Sequence, residues 1–206
     1  MRIIMLTALR ASIATWLLCG IIYPFALTGL GQWLMPVQAN GSLVRSADGT
    51  VIGSRLIGQY WTGPQWFHGR PSATTDVDPN DPGKTVPAPY NAASSGGSNL
   101  GPTNKALAER LAADRKAIEA EQPELAGKKL PADMLTTSSS GVDPDISPAN
   151  AALQVTRVAR ARGVAEADVR ALLARHITGR SLGMLGEPRI NVLALNLALQ
   201  AAYPAH

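Results

Sequence analysis

The chain has 206 residues, room for one globular domain of ordinary size or a smaller one with an appendage. Apolar residues reach 46% while charged residues stop at 17%, and 19 Lys and Arg stand against 15 Asp and Glu. This mild excess of positive charge, with no basic face interleaved with aromatics, excludes nucleic acid as a partner, and a single cysteine excludes a disulfide framework.

The apolar excess has a local source. No charged residue lies between Arg10 and Arg45, and residues 11–35 read ASIATWLLCGIIYPFALTGLGQWLM. As a helix this segment would extend roughly 37 Å, against a hydrocarbon core of about 30 Å. It is predicted to cross a membrane once, with a kink at Pro24. Gly20, Gly29 and Gly31 would let a partner helix approach. A cleaved signal peptide is the competing reading, with Val37-Gln38-Ala39 as its cut site. The apolar stretch is about twice the length of such a peptide's core, which favours an uncleaved anchor.

Arg2 and Arg10 on the short tail place residues 1–10 in the cytoplasm by the positive-inside rule. Residues 36–206 then form a periplasmic domain of an inner-membrane, single-pass protein. Cys19 falls inside the span, so the exported part carries no thiol.

Past the membrane, LVRSADGTVIGSRLIGQ places two β-rich runs around Asp48-Gly49, a hairpin signal. The stretch YWTGPQWFHGRPS then gathers Trp61, Trp66 and Phe67 among turn residues. Residues 69–104 read as loop, with six prolines. A loop of that length is functional or docks on something. A helix follows, capped by Thr103 or Asn104, striped by Leu107, Leu111 and Ile118, and closed by Pro123. LPADMLTTSSSG reads as a short turn and an extended run. The next helix opens at Ser147-Pro148 and ends at Gly163, with Leu153, Val155, Val158 and Ala159 facing inward. A third helix covers about 166–176, and RINVLALNLALQAAY closes the chain as a core helix carrying Asn191, Asn196 and Gln200. The fold class is α+β: one N-terminal transmembrane helix, then a single extracytoplasmic domain with a small antiparallel sheet and three to four helices.

Motifs for chemistry are weak. PGKT at 82–85 resembles the end of a phosphate-binding loop, but Asp78 stands where its first glycine belongs, and the preceding DVDPND reads as a turn. GGSNL lacks the last glycine of a nucleophile elbow, Leu100 occupying its place. A triad of Ser98, His68 and an aspartate keeps a membrane-anchored periplasmic serine hydrolase as the alternative function. His68 otherwise reads as a satisfied loop histidine, His176 as a helix C-terminal residue, and His206 as terminal. No group of residues has metal-ligand spacing.

Four stretches in order, FHGRPSA, YNAASSGGSNLGPTN, DPDISPANAALQVTRVARARG and GRSLGMLGEPRINVLALNLAL, follow the N-terminal anchor. Together they resemble the C subunit of the potassium-transporting Kdp ATPase over nearly the whole chain. The loop departs slightly from the family pattern, Ala92 standing where a proline is common.

The resemblance implies a non-catalytic accessory subunit with no cofactor of its own, ATP being that of the ATPase subunit. The implied partners are a potassium-channel-like subunit, a P-type ATPase subunit and a small single-helix subunit. The family is described as needed for assembly and as a catalytic chaperone that raises ATP affinity, its serine-glycine loop being the proposed nucleotide contact. That makes Ser95, Gly96 and Gly97 weak nucleotide candidates. An outside domain cannot meet cytoplasmic ATP, which favours a structural, partner-facing loop. Trp61, Trp66, Phe67, His68, Arg70, Asn99 and Asn104 are the expected docking residues, although the aromatics suit burial in the domain's own core equally well.

Overall fold

The computed structural model describes residues 1–204, so His206 lies outside them. The chain divides into two compact units, Met1–Ser54 and Arg55–His206.

In the first unit, α1 (Arg2–Leu17), a π-helical turn (Leu18–Ile22) and α2 (Tyr23–Leu34) run on as one helix. That helix, Arg2–Leu34, is long and apolar enough to cross a membrane, and none of its side chains is buried in the protein. It begins well before the expected residue 11. The kink expected at Pro24 is met by the π turn, whose wider hydrogen-bonding pattern lies just before the residue that lacks an N–H. After α3 (Pro36–Ala39) comes the hairpin read from Asp48-Gly49. Strand β1 (Leu43–Arg45) pairs antiparallel with β2 (Val51–Ser54). Gly49 takes φ +86° and the Asp48 carboxylate accepts from the Thr50 amide.

The second unit contains a hairpin that the sequence does not announce. Within the proline-rich stretch read as loop, β3 (Thr75–Asp78) pairs with β4 (Asp81–Pro87). DVDPND therefore supplies most of a strand and its turn, and PGKT lies within β4. A two-stranded ribbon is all edge, so a proline whose nitrogen faces outward costs no ladder bond. No helix begins after Lys84-Thr85, which removes the phosphate-loop context.

The helices form where their caps predict. The Asn104 side chain accepts from Ala106 N to open α4 (Lys105–Glu121). A short strand, β5 (Asp145–Ile146), precedes α5 (Pro148–Arg162), which Ser147 caps by accepting from Asn150 N and left-handed Gly163 ends. Then come α6 (Glu166–Arg175), β6 (Ile190–Asn191), paired antiparallel with β5, and α7 (Val192–Ala202), capped by Asn191. Among the described residues the strands thus make three two-stranded ladders.

The main core collects Val155 and Val158 of α5, Val169 and Leu173 of α6, and Leu195 and Leu199 of α7, with Phe67 inserted among them. A smaller cluster joins Leu125, Leu130 and Met134, with Leu153 and Ile118 packed against it. Leu153 therefore faces away from the main core, and α4 has no fully buried residue. The Ser147 cap is doubly held, because Asp133 accepts both from its amide and from its hydroxyl. Replacing Ser147 by Ala should lower stability by about 1 kcal/mol, read as a drop in melting temperature of the detergent-solubilised chain. No drop would show that Asp133 alone satisfies the helix start.

Candidate functional site

Helix α5 buries a polar stripe beside its apolar one. Asn150, Gln154 and Arg157, spaced four and three apart, lie on one face with at most 3% exposure. They meet the aromatic segment, and the contacts run to its backbone. Gln154 Oε1 accepts from His68 N at 2.7 Å, and Gln154 Nε2 donates to His68 O at 3.0 Å. One residue earlier, Asn196 of α7 does the same for Phe67, with both bonds at 2.9 Å. Two consecutive irregular residues thus receive from side-chain amides the pairing that a neighbouring strand would otherwise supply.

Arginines take up the carbonyls that remain. Arg157 Nη1 donates to Gly63 O and Pro64 O at 3.3 and 3.1 Å, and Nη2 to Gln154 Oε1 at 2.8 Å. Arg162 Nε donates to Gln65 O at 2.8 Å, and its guanidinium lies 4.5 Å over the Trp66 ring. Trp66 in turn packs on Trp61, ring centroids 4.9 Å apart.

This held segment forms one wall of a cleft of about 400 Å³, with Tyr60, Tyr90, Ile118, Glu121 and Gln122 among its other walls. Arg70 lies on the same wall, paired with Asp143 at 3.0 Å and donating to the carbonyls of Thr136 and Thr137. The Tyr90 hydroxyl donates to Arg70 O at 2.7 Å. Burial, with Asp143 nearby, pushes its pKa up to about 12, so it remains a donor. A Cβ on Gly69 would run into that hydroxyl, which is why glycine stands there.

His68 has no nucleophile to activate. Its Nε2 lies 2.9 Å from Gly63 O and 3.3 Å from Arg157 Nη1, and its Nδ1 is 3.9 Å from Glu121. Burial, then the Arg157 charge, holds its pKa below the ordinary value, and Gly63 and Glu121 only partly oppose this. Ser98 is not among its partners, so the hydrolase triad has no geometric support. Among the described residues no three of His, Cys, Asp and Glu are grouped to hold a metal ion.

The serine-glycine loop packs backbone against backbone on a second small-residue loop, 138–141. Gly96 N and the Ser95 hydroxyl both donate to Ser140 O at 2.9 Å. A Cβ at Gly97 would lie 3.0 Å from Ser139 O. Gly141, at φ +69°, faces Thr74 and Gly96 so closely that no side chain fits. Two of the donors a phosphate would use there, the Ser95 hydroxyl and the Gly96 amide, are therefore already engaged.

A family model described as KdpC, the K+-transporting ATPase c chain, matches residues 5–201. The chain belongs to that family. It is 59% identical over 187 residues to a potassium-transporting ATPase KdpC subunit of Methylobacterium nodulans, covering 91% of each chain. The subunits so named from Bradyrhizobium sp. and Rhodopseudomonas palustris are 57% and 56% identical over 195 and 197 residues, or 95% and 96% of each chain.

In this KdpC chain the expected docking residues divide sharply. Phe67 is wholly buried in the main core and presents no surface. Trp61, Trp66, His68 and Arg70 are half-buried and engaged with their own domain. Asn104 is spent as the cap of α4, whereas Asn99 is exposed at φ +51°, a conformation asparagine tolerates. The sequence reading missed Asn150, Gln154 and Arg157; three long polar residues at helical spacing beside an apolar stripe were the available signal.

Two consequences can be measured. Gln154→Ala leaves the His68 N–H and C=O unpaired, and should destabilise the chain by roughly 2–4 kcal/mol, well beyond a surface substitution; a loss under 0.5 kcal/mol would mean that water replaces the clamp. The pH effect follows from His68. Its folded pKa lies below its unfolded one, so acid protonates the unfolded chain first and stability falls as pH drops through the ordinary histidine range. Melting temperature between pH 7.5 and 5 should decline less steeply in His68→Gln than in the parent chain.

Proposed function

We propose that this chain is the accessory, non-catalytic subunit of an ATP-driven potassium-uptake complex. The observation that carries the reading is a family match that runs from inside the apolar helix through the last domain helix. The helix anchors the chain and packs on partner helices through its glycines. Arg2 and Arg10 hold the N-terminus in the cytoplasm, and the domain lies outside.

The partners are a potassium-channel-like subunit, a P-type ATPase subunit and a small single-helix subunit. The chain supports their assembly, and any effect on the ATP affinity of the ATPase subunit travels through the span and those neighbours. Ser95, Gly96 and Gly97 act structurally in this scheme. The Ser95 hydroxyl and the Gly96 amide already serve the 138–141 loop, and an outside domain is separated from cytoplasmic ATP.

A C-terminally tagged chain, recovered in mild detergent from potassium-starved cells, should bring down a P-type ATPase and a potassium-channel-like subunit in fixed ratio, read by mass spectrometry. Recovery of the chain alone, while other membrane complexes survive the same detergent, would sink the assignment.

A further inference from the structure

Between α6 and β6 the chain leaves the core and forms a small braced finger, residues 177–189. Thr178 and Arg189 exchange backbone bonds at 2.8 and 3.0 Å, and nearer the tip Ser181 and Leu185 do so at 2.8 and 2.9 Å. Arg180 Nη2 reaches both Glu187 carboxylate oxygens, at 2.8 and 2.7 Å. On this frame stand Leu182, Met184 and Leu185, exposed by 86%, 72% and 57%. Leu182 has φ +53°, a left-handed conformation that a bulky side chain adopts only under strain. The fold thus holds a strained backbone and displays the resulting side chain to solvent, although leucine contributes nothing to the fold there.

Beside the finger's root lies a groove of about 520 Å³ containing Arg55, Arg175 and Arg189, with Asp145 as its one acid. Asp145 is taken by Arg189 at 3.1 Å, so the groove faces outward with a positive excess.

We propose that the finger is an anchor that inserts Leu182 and Met184 into an apolar pocket of a partner subunit in the same membrane complex, an acidic side chain bordering that pocket meeting the arginine groove. The proposal rests on the subunit reading and names where it is made.

Size argues against a second copy of this chain. The three side chains expose roughly 400 Å², within the range of a functional patch of about 300–600 Å², yet a self-standing interface needs about 800 Å² from each partner. A bilayer fits less well than a protein. A fluid surface does not require a fixed, strained backbone, and residues 177–189 contain neither Trp nor Tyr, the residues favoured at lipid interfaces. A preformed pocket, in contrast, rewards a rigid ligand, because little freedom is lost on binding.

The test uses the full chain with Leu182→Gly and Met184→Ser. Glycine tolerates the left-handed conformation, so the melting temperature should hold or rise while the apolar side chain disappears. Recovery of partner subunits in mild detergent should fall by about tenfold, the scale of a truncated interface anchor, while the amount of chain in membranes is unchanged. Arg180→Gln, which loosens the brace and keeps the tip, should lower recovery less. Parental recovery by the double variant overturns the inference and leaves the subunit reading intact. So does parental recovery with lost flotation on phosphatidylglycerol vesicles, which would assign the finger to lipid. If the unsubstituted chain recovers no ATPase subunit, the subunit reading fails, and this inference with it.

Discussion

The second unit depends on two primary amides. Gln154 and Asn196 each present one donor and one acceptor at the spacing of a backbone N–H and C=O, and each closes on both polar groups of a single residue. Only an amide side chain can do this, since a carboxylate offers no donor and an ammonium no acceptor. The Asn196 bonds are buried and the Gln154 bonds partly so, and their loss leaves unpaired groups whose desolvation is not fully repaid. The clamp places Phe67 in the core while the chain around it has no regular structure. Without it, the largest side chain of that core would bring unsatisfied backbone in with it.

Much of the remaining geometry follows from that placement. With residues 67 and 68 fixed, the chain upstream falls within reach of Arg157 and Arg162, and the carbonyls from Gly63 to Gln65 are taken in turn. Downstream, Gly69 comes close enough to Tyr90 that glycine is required, and the Tyr90 hydroxyl closes on Arg70. Asn150 extends the same network to Asp133, which holds Ser147 and so the start of α5 itself. The helix that supplies the stripe is therefore steadied by the structure that the stripe supports.

The sequence disclosed what is local. Ser147-Pro148 and Gly163 bounded α5, Asn104 and Pro123 bounded α4, and Asp48-Gly49 marked its hairpin. Each acts through neighbours within a few residues, where residue chemistry and backbone geometry correspond closely. The hairpin at 75–87 was obscured because prolines argue against central strands, and this ribbon has none. The clamp was hidden for a different reason. Its partners lie 86 and 129 positions apart, and a glutamine bound for a distant backbone looks like any other glutamine. His68, Arg70 and the tryptophans drew attention as reactive or docking types. Their roles followed from what faced them, which spacing does not reveal.

A chain whose buried donors and acceptors are so widely committed to its own backbone has little left for chemistry. His68 serves a carbonyl, the serine-glycine loop serves another loop, and Arg70, Tyr90, Gln154 and Arg157 on the cleft wall each bond to backbone of their own domain, although Trp61 Nε1 and Gln122 Oε1 there are buried without a partner. The largest runs of exposed apolar side chains among the described residues are those of Arg2–Leu34, and a smaller group stands at the tip of the 177–189 finger. Exposed aliphatic surface gains free energy only when something else covers it. The interior of this KdpC chain therefore gives it a defined shape, while exposed apolar surfaces such as these two are those through which an accessory subunit would act on others.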